Sequence, residues 1–136
     1  MAEFWVVTTS QSLYHVSDEG GEANVEKIAG KGTGIKIGGK LRNGSHAGIV
    51  GGMVILFTPR SGKAALPSYQ NIRDWGGHTS AFVGLFLKEK DAQVCLKDEN
   101  LLAWDPRWKE MTEEVMIWVK DGASSLFVFD PFQYQA

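Results

Sequence analysis

The 136-residue chain carries 43% apolar and 22% charged side chains, a balance close to the globular average that excludes a disordered tail, a fibrous repeat and a polar low-complexity protein. Fourteen Lys and Arg against sixteen Asp and Glu leave a net charge of −2, without the basic field that phosphate-driven nucleic-acid binding requires. The densest positive neighbourhood, Arg60, Lys63 and Arg73, is too sparse to change that, so nucleic acid is not an expected partner.

No apolar run approaches the roughly 20 residues that span a bilayer. The start, Met1-Ala2-Glu3-Phe4-Trp5, has neither the positive region nor the apolar stretch of a signal peptide. The expectation is a cytoplasmic protein with no membrane partner. Cys95 is the single cysteine, which excludes an intrachain disulfide and a cysteine zinc site, and no cofactor is expected. Neither an internal repeat nor a linker divides the chain, so residues 1–136 read as one domain.

The first sixty residues hold short runs rich in Val, Ile, Thr and aromatics between Gly, Asn, Asp and Ser clusters, the mark of an antiparallel meander. Strands are predicted at 4–8 and 13–16, joined through Thr9, Ser10 and Gln11, then at 25–28 after the turn at Asp18-Glu19-Gly20-Gly21. Another is predicted through Ile35 and Ile37, before the turn dipeptide Asn43-Gly44. The unbroken apolar run Met53–Phe57 predicts a strand buried on both faces.

Residues 58–77 read as a long irregular loop, a length that usually marks function or mobility. A strand at 81–87 and a polar helix at 88–99 follow, with Ala92, Cys95 and Leu96 facing inward. The last helix is the best marked: Asp105 is a good N-cap, Pro106 suits the first turn and Gly122 stops it. Trp104, Trp108, Met111, Val115 and Trp118 recur at spacings of four and three and predict its buried stripe. A final strand at 126–129 returns to the sheet. The predicted class is α+β: a twisted antiparallel sheet with two C-terminal helices packed on one face and a late returning strand.

The glycine-rich run from Gly30 to Lys40 meets the spacing of a phosphate-binding loop at Gly34, Gly39 and Lys40, but Leu41 stands where a hydroxyl must bind magnesium. Period two explains the run better, placing Gly30, Gly32, Gly34 and Gly38 on one bare strand face that Trp108 or Trp118 would fill. His15, His46 and His78 show no metal-ligand spacing; His15 reads as a sheet-surface or partner-satisfied residue and His46 as partly exposed. Cys95, mid-helix and without a cationic neighbour, reads as core.

The candidate binding site is Arg73-Asp74-Trp75-Gly76-Gly77-His78-Thr79-Ser80. There, two glycines free the backbone beside a carboxylate, an indole, an imidazole and two hydroxyls. An aromatic-lined cleft here would take a small molecule or peptide without turnover. A small hydrolase or isomerase using His78 as acid or base with Asp74 as its orienter is the alternative. Trp5, Trp75, Trp104, Trp108 and Trp118 with Phe127, Phe129, Phe132 and Tyr134 exceed what a core of this size needs, and the tail carries that excess to the chain's end. They predict self-association, most simply a two-fold dimer, and leave a protein-protein or regulatory module as a third reading.

The strings Trp75-Gly76-Gly77-His78-Thr79-Ser80, Leu85-Phe86-Leu87, Cys95, Glu99-Asn100-Leu101 and Asp105-Pro106-Arg107-Trp108 resemble small uncharacterised bacterial proteins carried on integron gene cassettes. The resemblance spans about Asn43 to Trp108. It implies a mobile accessory gene product, often self-associating, and assigns no catalytic role to any residue.

Overall fold

A computed structural model describes residues 2–19, 22–31, 36–39, 46–50, 53–57, 75–122 and 126–129; at 2, 19, 22, 46, 47, 50, 53, 55–57, 75–78, 120, 122 and 126–129 it describes the backbone alone. The class is α+β, with an antiparallel sheet and two C-terminal helices. Strands β1 (Ala2–Thr8), β2 (Ser12–Glu19), β3 (Glu22–Gly30) and β7 (Phe82–Phe86) form the antiparallel sheet in the order β3-β2-β1-β7. Strands β4 (His46–Val50), β5 (Met53–Phe57), β6 (Trp75–His78) and β8 (Leu126–Phe129) form a second sheet in the order β6-β5-β4-β8. The late strand therefore returns to the second sheet, where it runs parallel to β4.

Both faces of the first sheet are covered, which explains the run Phe4-Trp5-Val6-Val7 in β1, apolar without alternation. In β1, Phe4 and Val6 face one core, shared with Tyr14, Val16 and Val25, with Ile49 and Val54 of the second sheet, and with Val115 and Val119. Trp5 and Val7 face the other core, with Leu13, Phe86, Ala92 and Cys95. Helix α1 (Glu89–Leu96) closes this second core, burying Ala92 and Cys95 as its spacing predicts. Helix α2 (Lys109–Gly122) serves both cores, giving Val115 and Val119 to one and Met111 to the other.

A β-bulge decides which residues of β7 reach which core. Val6 pairs with Leu85 and Val7 with Gly84, but Thr8 pairs with Phe82, so Val83 is the extra residue. The alternation is thereby reset, with Phe82 and Leu85 on one core and Val83 and Phe86 on the other. Gly84 stays bare because α2 begins against it: a Cβ there would stand 2.9 Å from Phe86 Cζ and 3.0 Å from Trp108 Cβ.

Of the strand predicted through Ile35 and Ile37, Ile37 stands in a turn instead, and Ile35 lies outside the described residues. Gly30 ends β3 at φ +109°, where a Cβ would collide with the Gln11 carbonyl oxygen, so only glycine fits. Ile37 and Gly38 form a turn that folds back on β3, with Lys27 N–H donating to Gly39 O and Gly38 N–H to Lys27 O. The bare face proposed for Gly32 and Gly34 lies outside the described residues. Trp108 packs edge-on against Phe86 instead, with ring centroids 5.5 Å apart.

Gly84→Ala should destabilise the fold by about 1–3 kcal/mol, the usual cost of overpacking, because the clash includes a Cβ next to the helix backbone. A melting curve checks this; a variant as stable as the parent would show that α2 yields freely at Trp108.

Candidate functional site

The edge of β7 that faces away from β1 carries unpaired backbone groups, and the segment leading into α2 covers them. Trp104 N–H donates to Phe82 O at 3.0 Å, Asp105 N–H to Val83 O at 3.2 Å, and Leu85 N–H to the Thr112 hydroxyl at 3.1 Å. Thr112 passes its own proton to Trp108 O at 2.8 Å. Covering an edge in this way prevents strand-to-strand association and fixes the start of α2 relative to the sheet.

Asp105 is the N-cap that the sequence predicts, opening a 3₁₀ turn (Pro106–Trp108) that runs into α2. Its carboxylate accepts from Arg107 N–H at 3.0 Å and from Arg107 Nε and Nη2, the latter at 2.6 Å. The same guanidinium reaches Asp98 through Nη1, and Asp98 accepts Asn100 N–H at 2.9 Å. Arg107 thus ties the loop after α1 to the cap of α2. Its side-chain hydrogen bonds, then its backbone N–H, hold the buried Asp105 carboxyl below the usual carboxylate range. The Asn100 N–H, then Arg107, does the same for Asp98.

Trp104 is not on the buried stripe of α2. It precedes the cap at φ +53°, in the left-handed region that a bulky residue rarely adopts, with half of its surface exposed. Its ring leans on Phe82 at a centroid distance of 4.7 Å. Beside it opens a cleft of about 380 Å³ lined by Val83, Trp104, Pro106, Lys109, Thr112 and Glu113, with Asp105 at its back. Of the predicted stripe, Val115 is buried and Trp108, Met111 and Trp118 are partly buried against the cores; among the described residues of α2, Thr112 and Val119 are buried as well. A shallower concavity of about 460 Å³ lies along α2 where Glu110, Glu114 and Asp121 surround exposed Ile117.

The residues singled out by sequence fall elsewhere. Trp75, Gly76, Gly77 and His78 form the edge strand β6 rather than the end of a loop, with Gly77 opposite Leu56, His78 opposite Ile55, and Gly76 the extra residue of a bulge. Thr79 follows, buried, its hydroxyl accepting Val54 N–H at 3.1 Å and donating to Ser80 O at 2.9 Å. Ser80 is exposed. Arg73 and Asp74 lie outside the described residues, as do the side chains of Trp75 and His78, and so the His78–Asp74 pairing.

His15 sits on β2 opposite Trp5, stacks on its ring at 4.9 Å, and shares a 2.7 Å hydrogen bond with Glu3, the partner-satisfied state expected of it. Burial, then the Asp105 charge, pushes the Cys95 thiol up to about 12, which keeps it protonated and unreactive near neutrality. Among the described residues no three His, Cys, Asp or Glu side chains are grouped to hold a metal ion, and no helix is long and apolar enough to cross a membrane.

Sequence spacing misplaced Trp104 because it stands four residues before Trp108. The Asp105 cap and Pro106, both legible in the sequence, start the helix after position 104 and put Trp104 outside it. No protein-family model matches the chain, and no curated protein or solved structure matches it either.

Because the folded Asp105 carboxyl titrates below its ordinary value near pH ~3.9, its stabilising contribution is complete above that value and is lost as pH falls through the folded one. The melting-temperature gap between the parent and Asp105→Asn should hold steady above about pH 5 and close below about pH 4. A gap independent of pH would mean that the Arg107 clamp adds nothing through charge.

Proposed function

We propose that this protein is a non-catalytic binding protein that takes a small ring-bearing molecule in the cleft beside Trp104. The observation that carries the reading is the indole itself. A left-handed conformation costs a non-glycine residue about 1–2 kcal/mol, yet here it holds a large aromatic half in water rather than in a core. Strained residues persist where the surroundings over-determine them, and they gather at ligand sites. Trp104 is fixed from two sides, by its N–H on Phe82 O and by its ring on Phe82.

Size and chemistry agree with this role. A volume of 380 Å³ lies within the range of about 300–1,000 Å³ found for small-molecule sites. Val83 and Pro106 supply apolar walls and Trp104 a flat face on which a ring can stack. The resemblance to integron-cassette products implies a mobile accessory gene product, often self-associating, and assigns no catalytic role. Self-association belongs to the same proposal, on the strength of the aromatic surplus at Phe127, Phe129, Phe132 and Tyr134.

A thermal-shift screen of ring-bearing metabolites tests the site. A ligand at about 100 times its Kd stabilises by about 2.7 kcal/mol, which at this length raises the melting temperature by roughly 8–10 °C. Trp104→Gly should abolish the shift while changing the stability of the free protein by less than about 1 kcal/mol, since glycine accepts the left-handed backbone without strain. A loss of about 3–5 kcal/mol with an unaltered ligand shift would instead make Trp104 a packing residue. For assembly, light scattering should report a dimer for the full chain and a monomer after removal of residues 131–136; a full-length monomer ends that part of the proposal.

A further inference from the structure

The polar groups that line the Trp104 cleft differ in what they have left to offer. The Asp105 carboxylate is fully engaged by Arg107, and the Thr112 hydroxyl both accepts from Leu85 N–H and donates to Trp108 O. Two charged groups remain, Lys109 and Glu113, one helical turn apart on the cleft side of α2. Their Nζ and Oε1 stand 3.9 Å apart, beyond hydrogen-bonding distance, and both side chains are more than half exposed. Each can turn to a ligand without breaking a hydrogen bond inside the protein.

Resting on the binding role proposed above, we infer that the ligand is a zwitterion built on a ring, the chemical class of an aromatic α-amino acid. Its ring lies on Trp104 between Val83 and Pro106, its carboxylate meets Lys109 and its ammonium meets Glu113. A ligand with a single negative charge gains Lys109 and is repelled by Glu113; one with a single positive charge has the reverse fate. The protein's two opposite charges stand close together, so the ligand's two charges must be close as well, as they are when one carbon carries both. Asp105 is already paired with Arg107, which it shares with Asp98, and so is not a free partner for the ligand's ammonium.

Four probes that share a phenyl ring separate the contributions: phenylalanine, phenylacetate, phenethylamine and benzyl alcohol, titrated into the full chain and followed by calorimetry and backbone amide shifts. Phenylalanine should bind about five-fold more tightly than benzyl alcohol, the gain expected of exposed ion pairs, and the gain should shrink at high salt. Lys109→Met should remove the preference for phenylalanine over phenethylamine, and Glu113→Gln the preference over phenylacetate. Both sites are exposed, so both variants should melt like the parent. Equal binding of all four probes, lost together in Trp104→Gly, would overturn the zwitterion while leaving the ring site standing. Binding of none of the four would also overturn it, and the ring-bearing screen then decides separately whether the cleft binds anything.

Discussion

The covered edge of β7 is the constraint from which the rest of the molecule follows. An edge strand exposes a row of N–H and C=O groups, and here residues 104, 105 and 112 take up those of Phe82, Val83 and Leu85. This fixes where α2 begins and how it crosses the sheet. The bulge at Val83 shapes the arrangement, because it puts Phe82 and Leu85, three residues apart, on one core and Val83 and Phe86 on the other. Gly84 completes it by leaving room for the first turn of the helix at Trp108.

Electrostatics reinforces the same junction. Arg107 holds Asp105 with three side-chain contacts and a backbone N–H and still reaches Asp98, so one guanidinium joins the end of α1, the loop after it and the cap of α2. Arginine suits this position because its planar fork presents Nε and Nη2 together to Asp105 while Nη1 donates to Asp98, a two-nitrogen grip that lysine's single nitrogen cannot make. Asp105 is buried, so its charge is tolerable only with that partner in place. Trp108 makes the opposite choice: its indole N–H is buried with no hydrogen-bond partner among the described residues, and its place rests on packing against Phe86 and Gly84.

The cleft is a by-product of this junction. Covering the edge forces Trp104 into a left-handed backbone immediately before the cap, and that conformation throws the indole outward over a hollow instead of into either core. The rigid parts, sheet edge and helix start, lie beneath; the adaptable parts, Lys109 and Glu113, stand at the rim. Such a division, with a fixed aromatic platform and movable charges, suits recognition without chemistry. Cys95 fits that picture as well, since its buried thiol is kept protonated and belongs to the core.

Local chemistry was enough for the sequence alone to determine the α+β class, both helices, the cap at Asp105, the inward face of Ala92 and Cys95 and the last strand. In each case the cause lies within a few residues: apolar spacing, a capping side chain, a proline that cannot sit deeper in a helix. The tertiary structure alone decided the division into two sheets, the strand at Trp75–His78, the turn at Ile37 and Gly38 and the outward Trp104. The glycine pair Gly76-Gly77 reads as loop because nothing local shows that β5 offers it an edge to pair with. Trp104 reads as core because a four-residue spacing to Trp108 looks helical until the cap between them is given its full weight. Which strand edges lie open, and what covers them, depends on residues tens of positions apart, and no local pattern encodes that choice.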